Sequence, residues 1–260
     1  MDILNVIQNY YIKINRYVFN RKFLRIFAGP LKGYKWNTST NYDYIKGKYE
    51  DGETQIEIKE WLKYDTVFYD LGANVGYYSF IANQIITTGV IYAFEPIPAN
   101  AAIFKSHLKL NDKRISNKNI HLSQFAVSDK EQTLVFSNNR NLAEGNTYVK
   151  SSLHKIPSER LEVKSYSIDN LIENGYRIPD IIKIDVEGAE YDVLLGAVNT
   201  LEIHKPKLLL ATHDCHVQGI KDKCVQFLEA RGYILKHMDS SAKLISGLDD
   251  YLAVHINQLT

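Results

Sequence analysis

Apolar residues along this chain fall into two rhythms. From residue 67 onward, short and nearly continuous apolar runs alternate with stretches in which apolar residues recur every three or four positions, the signature of strands alternating with packed helices. Val67 to Asp70 predicts a first strand, Tyr78 to Ile86 a helix, Val90 to Phe94 a second strand, Ala99 to Leu110 a helix, and Ile120 to Ala126 a third strand. Val163 to Ile168 alternates apolar and polar positions, and Asp169 is the expected N-cap of a short helix after it. Ile181 to Val186 is apolar apart from Lys183 and Asp185, as a central parallel strand should be. Gly188 to Leu195 predicts a helix, Lys207 to Thr212 a strand, and Val225 to Arg231 a helix closed by Gly232. Tyr233 to Lys236 and Tyr251 to Ile256 complete the set as an antiparallel pair. Between residues 132 and 164 the rhythm breaks around polar Asn138 to Asn141 and basic His154 and Arg160, which predicts a hairpin insertion or a mobile flap.

The first fifty residues follow a different pattern. Ile3, Leu4, Ile7, Tyr10, Tyr11, Ile14, Val18 and Phe19 approximate a helical apolar stripe, and the segment is basic, with Lys13, Arg16, Arg21, Lys22, Arg25 and further lysines against few acids. The stripe is read first as a helix packed on the domain or on another subunit, and second as a membrane-surface helix spanning residues 1–25. The organisation expected is a basic, aromatic N-terminal extension over residues 1–55 and a Rossmann-like, doubly wound, mostly parallel α/β domain over 56–260, with the hairpin inserted at 132–164. Such sheets bind ligands at the carboxyl ends of their strands. Asp70, Glu95, Asp129, Asp185 and His213 all lie at or just past predicted strand ends and should converge there.

The stretch Val67-Phe-Tyr-Asp-Leu-Gly-Ala-Asn-Val-Gly-Tyr-Tyr-Ser79 narrows the ligand. Gly72 and Gly76 permit a tight turn, and Asn74 between them tolerates positive φ. A dinucleotide fingerprint wants a third glycine where Tyr77 stands, which argues against NAD. Asp70 offers a carboxylate to a cationic group, and S-adenosylmethionine carries an ammonium and a sulfonium but no pyrophosphate. Glu95, ending Gly89-Val-Ile-Tyr-Ala-Phe-Glu-Pro96, falls roughly 20 positions past the turn, where an acid accepts hydrogen bonds from ribose hydroxyls.

Composition removes several classes. The chain has 260 residues, 45% hydrophobic and 23% charged, enough for one large α/β domain with an extension, and its net charge of +1 gives no general attraction for nucleic acid. Its two cysteines, Cys215 and Cys224, form no CxxC pair, and no apolar run is long enough for a transmembrane helix. A cytoplasmic location follows as the expectation, peripheral to the membrane if the N-terminal helix binds one.

Asp70-Leu-Gly-Ala-Asn-Val-Gly76, Phe94-Glu-Pro96, Ala126-Val-Ser-Asp129 and Ile182-Lys-Ile-Asp-Val-Glu-Gly-Ala-Glu190 together resemble, in order and spacing, the FkbM-type S-adenosylmethionine-dependent methyltransferases, over roughly residues 47–213. The resemblance implies O-methyl transfer to a sugar, glycan or secondary metabolite. It also implies that Asp70, Gly72, Ala73, Asn74 and Gly76 surround the methionine part of the cofactor, that Glu95 meets the ribose and that Ser128 and Asp129 flank the adenine, with Tyr77, Pro96 and Asp185 as further cofactor-binding residues. One departure is Ala211-Thr-His-Asp214, where Thr212 stands in place of an expected acid.

A hydroxyl acceptor needs its proton removed, and Asp185, Glu187 and His213 are the candidate catalytic groups. Asp185 should be made more basic by burial at the strand end, and His213 titrates near neutrality. A metal-assisted variant is the alternative, since Asp185, Glu187, His213, Asp214 and His216 offer oxygen and nitrogen ligands, but His213-x-x-His216 is not a recognised metal spacing, so no metal is expected. Glu190 is read as an acid favoured by a helix N-terminus. Tyr49 and Glu50 are candidates to close over the site. The rival readings are a non-catalytic Rossmann-like binding module and a methyltransferase for another acceptor class. A nucleic-acid enzyme is disfavoured because the chain lacks an Asn- or Asp-Pro-Pro-aromatic block for a flipped base.

Overall fold

The computed structural model describes residues 3–47, 52–115, 119–137, 160–238 and 247–258. Tyr49 and Glu50 lie outside them, as do residues 138–159 of the insertion. The chain opens with helix α1 (Ile3–Tyr17), a hairpin of β1 (Phe23–Arg25) and β2 (Lys35–Asn37), and helices α2 (Tyr42–Lys46) and α3 (Gly52–Trp61). The alternating part follows: β3 (Val67–Leu71), α4 (Tyr77–Asn83), β4 (Val90–Phe94), α5 (Pro98–Leu110), β5 (Ile120–Ser123), β6 (Ala126–Val127), β7 (Gln132–Ser137), β8 (Arg160–Tyr166), α6 (Ile168–Glu173), β9 (Ile181–Ile184), α7 (Glu190–Leu195), β10 (Lys207–His213), α8 (Ile220–Glu229), β11 (Tyr233–Met238) and β12 (Leu248–His255).

Seven strands form the central sheet in the order β11-β12-β10-β9-β3-β4-β5. The five from β10 to β5 are parallel, and β12 runs antiparallel to both β10 and β11. Progress along the chain reverses direction between β3 and β9, so the crevice at their carboxyl ends is the topological switch point where such sheets take ligands. Every residue of β3 is buried, which is why the strand reads as a continuous apolar run, broken only by Asp70, rather than alternating. One core lies on each face of the sheet, one built with Phe68, Phe80 and Ile91 and the other with Tyr69, Ile182 and Leu210.

Three local expectations are corrected. The third strand stops at Ser123, because its partner β4 ends in register at Phe94 and Pro96 has no N–H to extend the ladder; Ala126 and Val127 instead pair with β8 in a separate sheet of order β6-β8-β7. The predicted insertion is therefore a real hairpin, β7 against β8. Ser167, not Asp169, caps α6, its Oγ accepting from Asn170 N at 3.1 Å, whereas the Asp169 carboxylate accepts from the backbone of Asn199 and Thr200. Helix α8 starts five residues earlier than expected, since Ile220, Cys224 and Leu228 continue one buried stripe.

The N-terminal segment contributes to the core of the sheet. Trp36 of β2 is fully buried and stacks on His107 of α5, with ring centroids 3.9 Å apart. Nε2 of His107 accepts from Asn37 N at 2.9 Å, so Nδ1 carries the proton and donates to Val75 O at 3.0 Å. Asn111 accepts from Lys35 N and donates to Lys35 O, closing the same seam.

Helix α1 is inverted relative to expectation. Its buried positions are Ile12 and Asn15, and Asn5 accepts from Lys46 Nζ, while Ile3, Ile7, Tyr10 and Tyr17 are 59 to 76% exposed. The face carrying Asn5, Ile12 and Asn15 is turned to the protein, Tyr11 meets the Phe27 ring at its edge, and most of the apolar stripe faces outward.

Burial pulls the His107 pKa from 6.5 down to about 4, against a partial rise from the Val75 hydrogen bond. The neutral ring fits the site, so as pH falls below 6.5 the unfolded chain takes up the proton first, and stability is lost progressively until the folded pKa is passed. Denaturant unfolding of wild type and His107→Gln between pH 7 and 4 should show a pH-dependent loss of roughly 3 kcal/mol in wild type that is missing from the variant.

Candidate active site

The loop after β3 is shaped by contacts that only small or left-handed residues can make. Gly72 has φ +71°, and a Cβ there would lie 1.8 Å from the Asp185 carbonyl oxygen. Asn74 has φ +49°, and its N–H donates to Glu95 Oε2 at 2.8 Å. Gly72 N and Ala73 N both donate to Phe94 O, so the loop folds back over the end of β4. Glu95 is thereby fixed from two directions, because Oε1 also accepts from Ile97 N at 2.9 Å. Burial raises its pKa from 4.5 to about 7, with the hydrogen bonds from Ile97, Asn74 and Asn100 and the charge of Lys183 opposing the rise.

A cleft of about 900 Å³, including solvent at its mouth, opens above these strand ends. Of the residues selected from sequence, Gly72, Ala73, Asn74, Tyr77, Glu95, Pro96, Asp185 and Glu187 line it. Gly76 does not, but it lets α4 approach Phe104, whose ring a Cβ would meet at 2.4 Å. Sequence reasoning missed Tyr44, which reaches the cleft from the N-terminal segment, and Leu134 and Phe136, which reach it from the hairpin. Neither was signalled by a motif, since both come from parts of the chain outside the βαβ pattern.

Asp70 is not in the cleft. It is fully buried beneath the loop, Oδ2 accepts from Ser79 Oγ at 2.6 Å, and Oδ1 lies 3.4 Å from Lys183 Nζ. The cation it faces is this lysine. Lys183 also donates to Gly72 O at 3.1 Å and lies 3.2 Å from Asp185 Oδ2. Its signal in the sequence was a lone lysine in an apolar strand, two residues from an acid. Ser128 and Asp129 are likewise away from the cleft: Ser128 is buried against Gly196, and Asp129 accepts from Ser128 Oγ and Gln132 Nε2. The adjacent Ala126 and Val127 are the wall residues instead, because the chain turns into β6 there.

A second group stands at the ends of β9 and β10. His213 is buried, and its Nδ1 lies 2.7 Å from Glu190 Oε1, while Nε2 lies 3.5 Å from Asp185 Oδ1 and 3.6 Å from Glu187 Oε2. Glu187 adopts φ +57°, and His216 Nε2 is 2.9 Å from Glu187 Oε2. Burial pulls the His213 pKa down, but the hydrogen bond to Glu190 and the charges of Asp185, Glu190 and Glu187 outweigh it and leave the pKa at about 9. The expectation that His213 titrates near neutrality is corrected, as is that of a deeply buried Asp185, whose side chain is 25% exposed. Glu190 is more than a dipole-favoured acid: it is fully buried and holds the His213 ring, and its Oε1 also accepts from Gly188 N.

The Methyltransferase FkbM domain family matches residues 70–237 of this sequence. The chain belongs to that family. Hexuronic acid methyltransferase AglP of Haloferax volcanii is 31% identical over 140 residues, 53% of this chain and 52% of its own. Methyltransferase 1 of Beauveria bassiana is 28% identical over 148 residues, 51% of this chain and 58% of its own. The chain thus spans about half the length of the curated relatives it matches. The crystal structure of Methyltransferase FkbM from Methylobacillus flagellatus KT aligns over 75% of this chain and 44% of its own, with a TM-score of 0.54 at 17% identity, and shows the same class I methyltransferase fold. Membership of the FkbM family makes S-adenosylmethionine the cofactor, and the cleft suits it: a carboxylate at the end of β4 and a backbone turn that a single Cβ would obstruct.

Only ionised Glu95 is a full acceptor for ribose hydroxyls, and its pKa near 7 sets the window. Calorimetric affinity for S-adenosylmethionine should rise about tenfold between pH 6 and 8 relative to Glu95→Gln; parallel pH profiles for the two proteins would show that Glu95 does not meet the ligand.

Proposed function

We propose that this FkbM-family protein transfers a methyl group from S-adenosylmethionine to a hydroxyl of a sugar, glycan or secondary metabolite. The observation that carries the reading is the placement of carboxylates on either side of the β3 loop: Glu95 beyond β4, and Asp185 and Glu187 beyond β9, all lining one cleft. The similarity to a hexuronic acid methyltransferase supports a sugar acceptor.

When bound, S-adenosylmethionine supplies an electrophilic methyl group. Glu95 holds the ribose hydroxyls, the Gly72–Asn74 backbone follows the methionine part, and Val127, Leu134 and Phe136 offer the adenine an apolar wall. Asp185 and Glu187 accept the hydrogen bond of the acceptor hydroxyl, align its oxygen for in-line attack and pass its proton to solvent at the mouth of the cleft. His213, its ring fixed through Nδ1 by Glu190, orients Asp185 and Glu187 from its Nε2 side rather than removing a proton. The apolar walls exclude water, which competes with the acceptor.

Glu95→Ala should abolish measurable S-adenosylmethionine binding. Glu187→Gln should keep the cofactor affinity within about threefold while lowering methyl transfer to hexuronic acids and neutral sugars by about 100-fold. Cofactor binding by wild type with no transfer to any sugar would favour a binding module or a different acceptor class.

The outward apolar stripe of α1 bears on location. Among the described residues no helix is long and apolar enough to cross a membrane, but Ile3, Ile7, Tyr10, Ile14 and Tyr17 form one exposed line, flanked by Lys13, Arg21 and Lys22. We propose that this face lies on an anionic membrane surface, its apolar side chains in the headgroup boundary and the lysines and arginines on lipid phosphates. The protein should float with vesicles containing anionic lipid and be released by high salt, and Ile7→Glu with Tyr10→Glu should remain in the soluble fraction; a salt-insensitive dimer that ignores vesicles would assign the stripe to a second copy.

A further inference from the structure

The acids and histidine at the ends of β9 and β10 have an arrangement that the proposed hydroxyl chemistry does not require. Glu190 takes the Nδ1 side of His213, so the opposite ring nitrogen, Nε2, is the one presented to Asp185 and Glu187. Its separations from their oxygens, 3.5 and 3.6 Å, are long for N–H···O hydrogen bonds, which cluster near 2.9 Å. They are close to the spacing of neighbouring ligand atoms on one ion: bonds of about 2.1 Å at angles of 90 to 109° put the ligands about 3.0 to 3.4 Å apart. One donor atom from each of Asp185, Glu187 and His213 lies within 4.8 Å of the others.

The surroundings support the same reading. Metal ligands are characteristically oriented by outer partners, and each of these three has one: Glu190 on His213, His216 on Glu187 at 2.9 Å, and Lys183 on Asp185 at 3.2 Å. Glu190 is fully buried, and its Oε2 has no hydrogen-bond partner, so a costly buried carboxylate is committed to this ring. Glu187 accepts a left-handed backbone conformation, uncommon for a residue with a long side chain, at the position from which it joins the cluster. Asp214 is excluded from the set, because its Oδ1 caps α8 by accepting from Lys221 N.

We infer that Asp185, Glu187 and His213 Nε2 form a divalent-cation site of the Mn²⁺ type at the acceptor end of the cleft, with Glu190 and His216 as positioning residues. Two carboxylates and one imidazole suit a cation of intermediate hardness, and three protein ligands leave coordination positions open toward the cleft that Asp185 and Glu187 line. The inference rests on the methyl-transfer reading for its purpose, since a cation there would bind the acceptor hydroxyl and ease loss of its proton to solvent before the new O–C bond forms and the methyl–sulfur bond breaks. It does not rest on that reading for its existence.

The test is Mn²⁺ alone, titrated into the full chain and followed by the loss of the free-ion electron paramagnetic resonance signal, with S-adenosylmethionine binding measured calorimetrically on the same preparations. One equivalent of Mn²⁺ should bind wild type, binding should be lost in Glu187→Gln and His213→Gln, and Glu190→Gln should weaken it about tenfold or more. Glu187 is partly exposed, so its variant stays informative if the buried histidine variant fails to fold. Wild type that binds S-adenosylmethionine but no Mn²⁺ at millimolar concentration, or a Glu187→Gln variant that binds Mn²⁺ as wild type does, overturns the site. Mn²⁺ binding that depends on Glu187 without any S-adenosylmethionine binding supports the site and overturns the cofactor assignment instead.

Discussion

The contact on which the cleft depends is the buried ammonium of Lys183. It stands between Asp70 of β3 and Asp185 beyond β9, and its third direction is taken by the carbonyl of Gly72. Buried ion pairs add little net stability, because desolvation offsets most of the Coulomb gain, yet removing one partner leaves an uncompensated charge that costs about 3–5 kcal/mol. What Lys183 provides is registry. A single cation joins the two central strands at the place where the sheet reverses its order, and it joins them to the loop that turns between them.

Around this point each wall of the site comes from a different part of the chain. The β3 loop bends over Phe94 and delivers Asn74 to Glu95; the close approach of Gly72 to the Asp185 carbonyl brings the loop against the end of β9. The cofactor side and the acceptor side are therefore two flanks of one backbone contact. This explains why the motif spacing is tight within each block, while the hairpin carrying Leu134 and Phe136 follows no fixed pattern: it contributes surface, not geometry.

Much of this was legible in the sequence. The order of strands and helices followed from hydrophobic rhythm because β3, β4, β9 and β10 lie inside the sheet and are mainly apolar, with Asp70, Lys183 and His213 as polar exceptions toward their carboxyl ends. The place of Glu95 in the cleft was legible because it ends a strand at a set distance past a glycine turn, while its hold on the backbone of Asn74 and Ile97 was not. The partner of Asp70 was not legible for a related reason: a sequence displays the acid but not its counter-ion, and Lys183 lies 113 positions away in the chain. His213 was misjudged because its proton affinity belongs to three carboxylates from another segment. The placing of Ala126 and Val127, rather than Ser128 and Asp129, on the wall was not legible because the strand ends early, just before the proline that follows its neighbour. The direction of α1 was unreadable, since periodicity identifies an apolar face without saying which way it points.

The ring of His107 touches both ends of the molecule's organisation, donating to Val75 within the cofactor loop and accepting from Asn37 of the N-terminal hairpin. Force applied to the outward helix therefore has a short route to the residues that shape the cleft, through fewer than forty residues of chain and the two hydrogen bonds of one imidazole. The N-terminal segment is thus part of the chassis of the site and not an appendage to it, and the smallest unit able to hold the glycine loop in this shape must begin upstream of the hairpin.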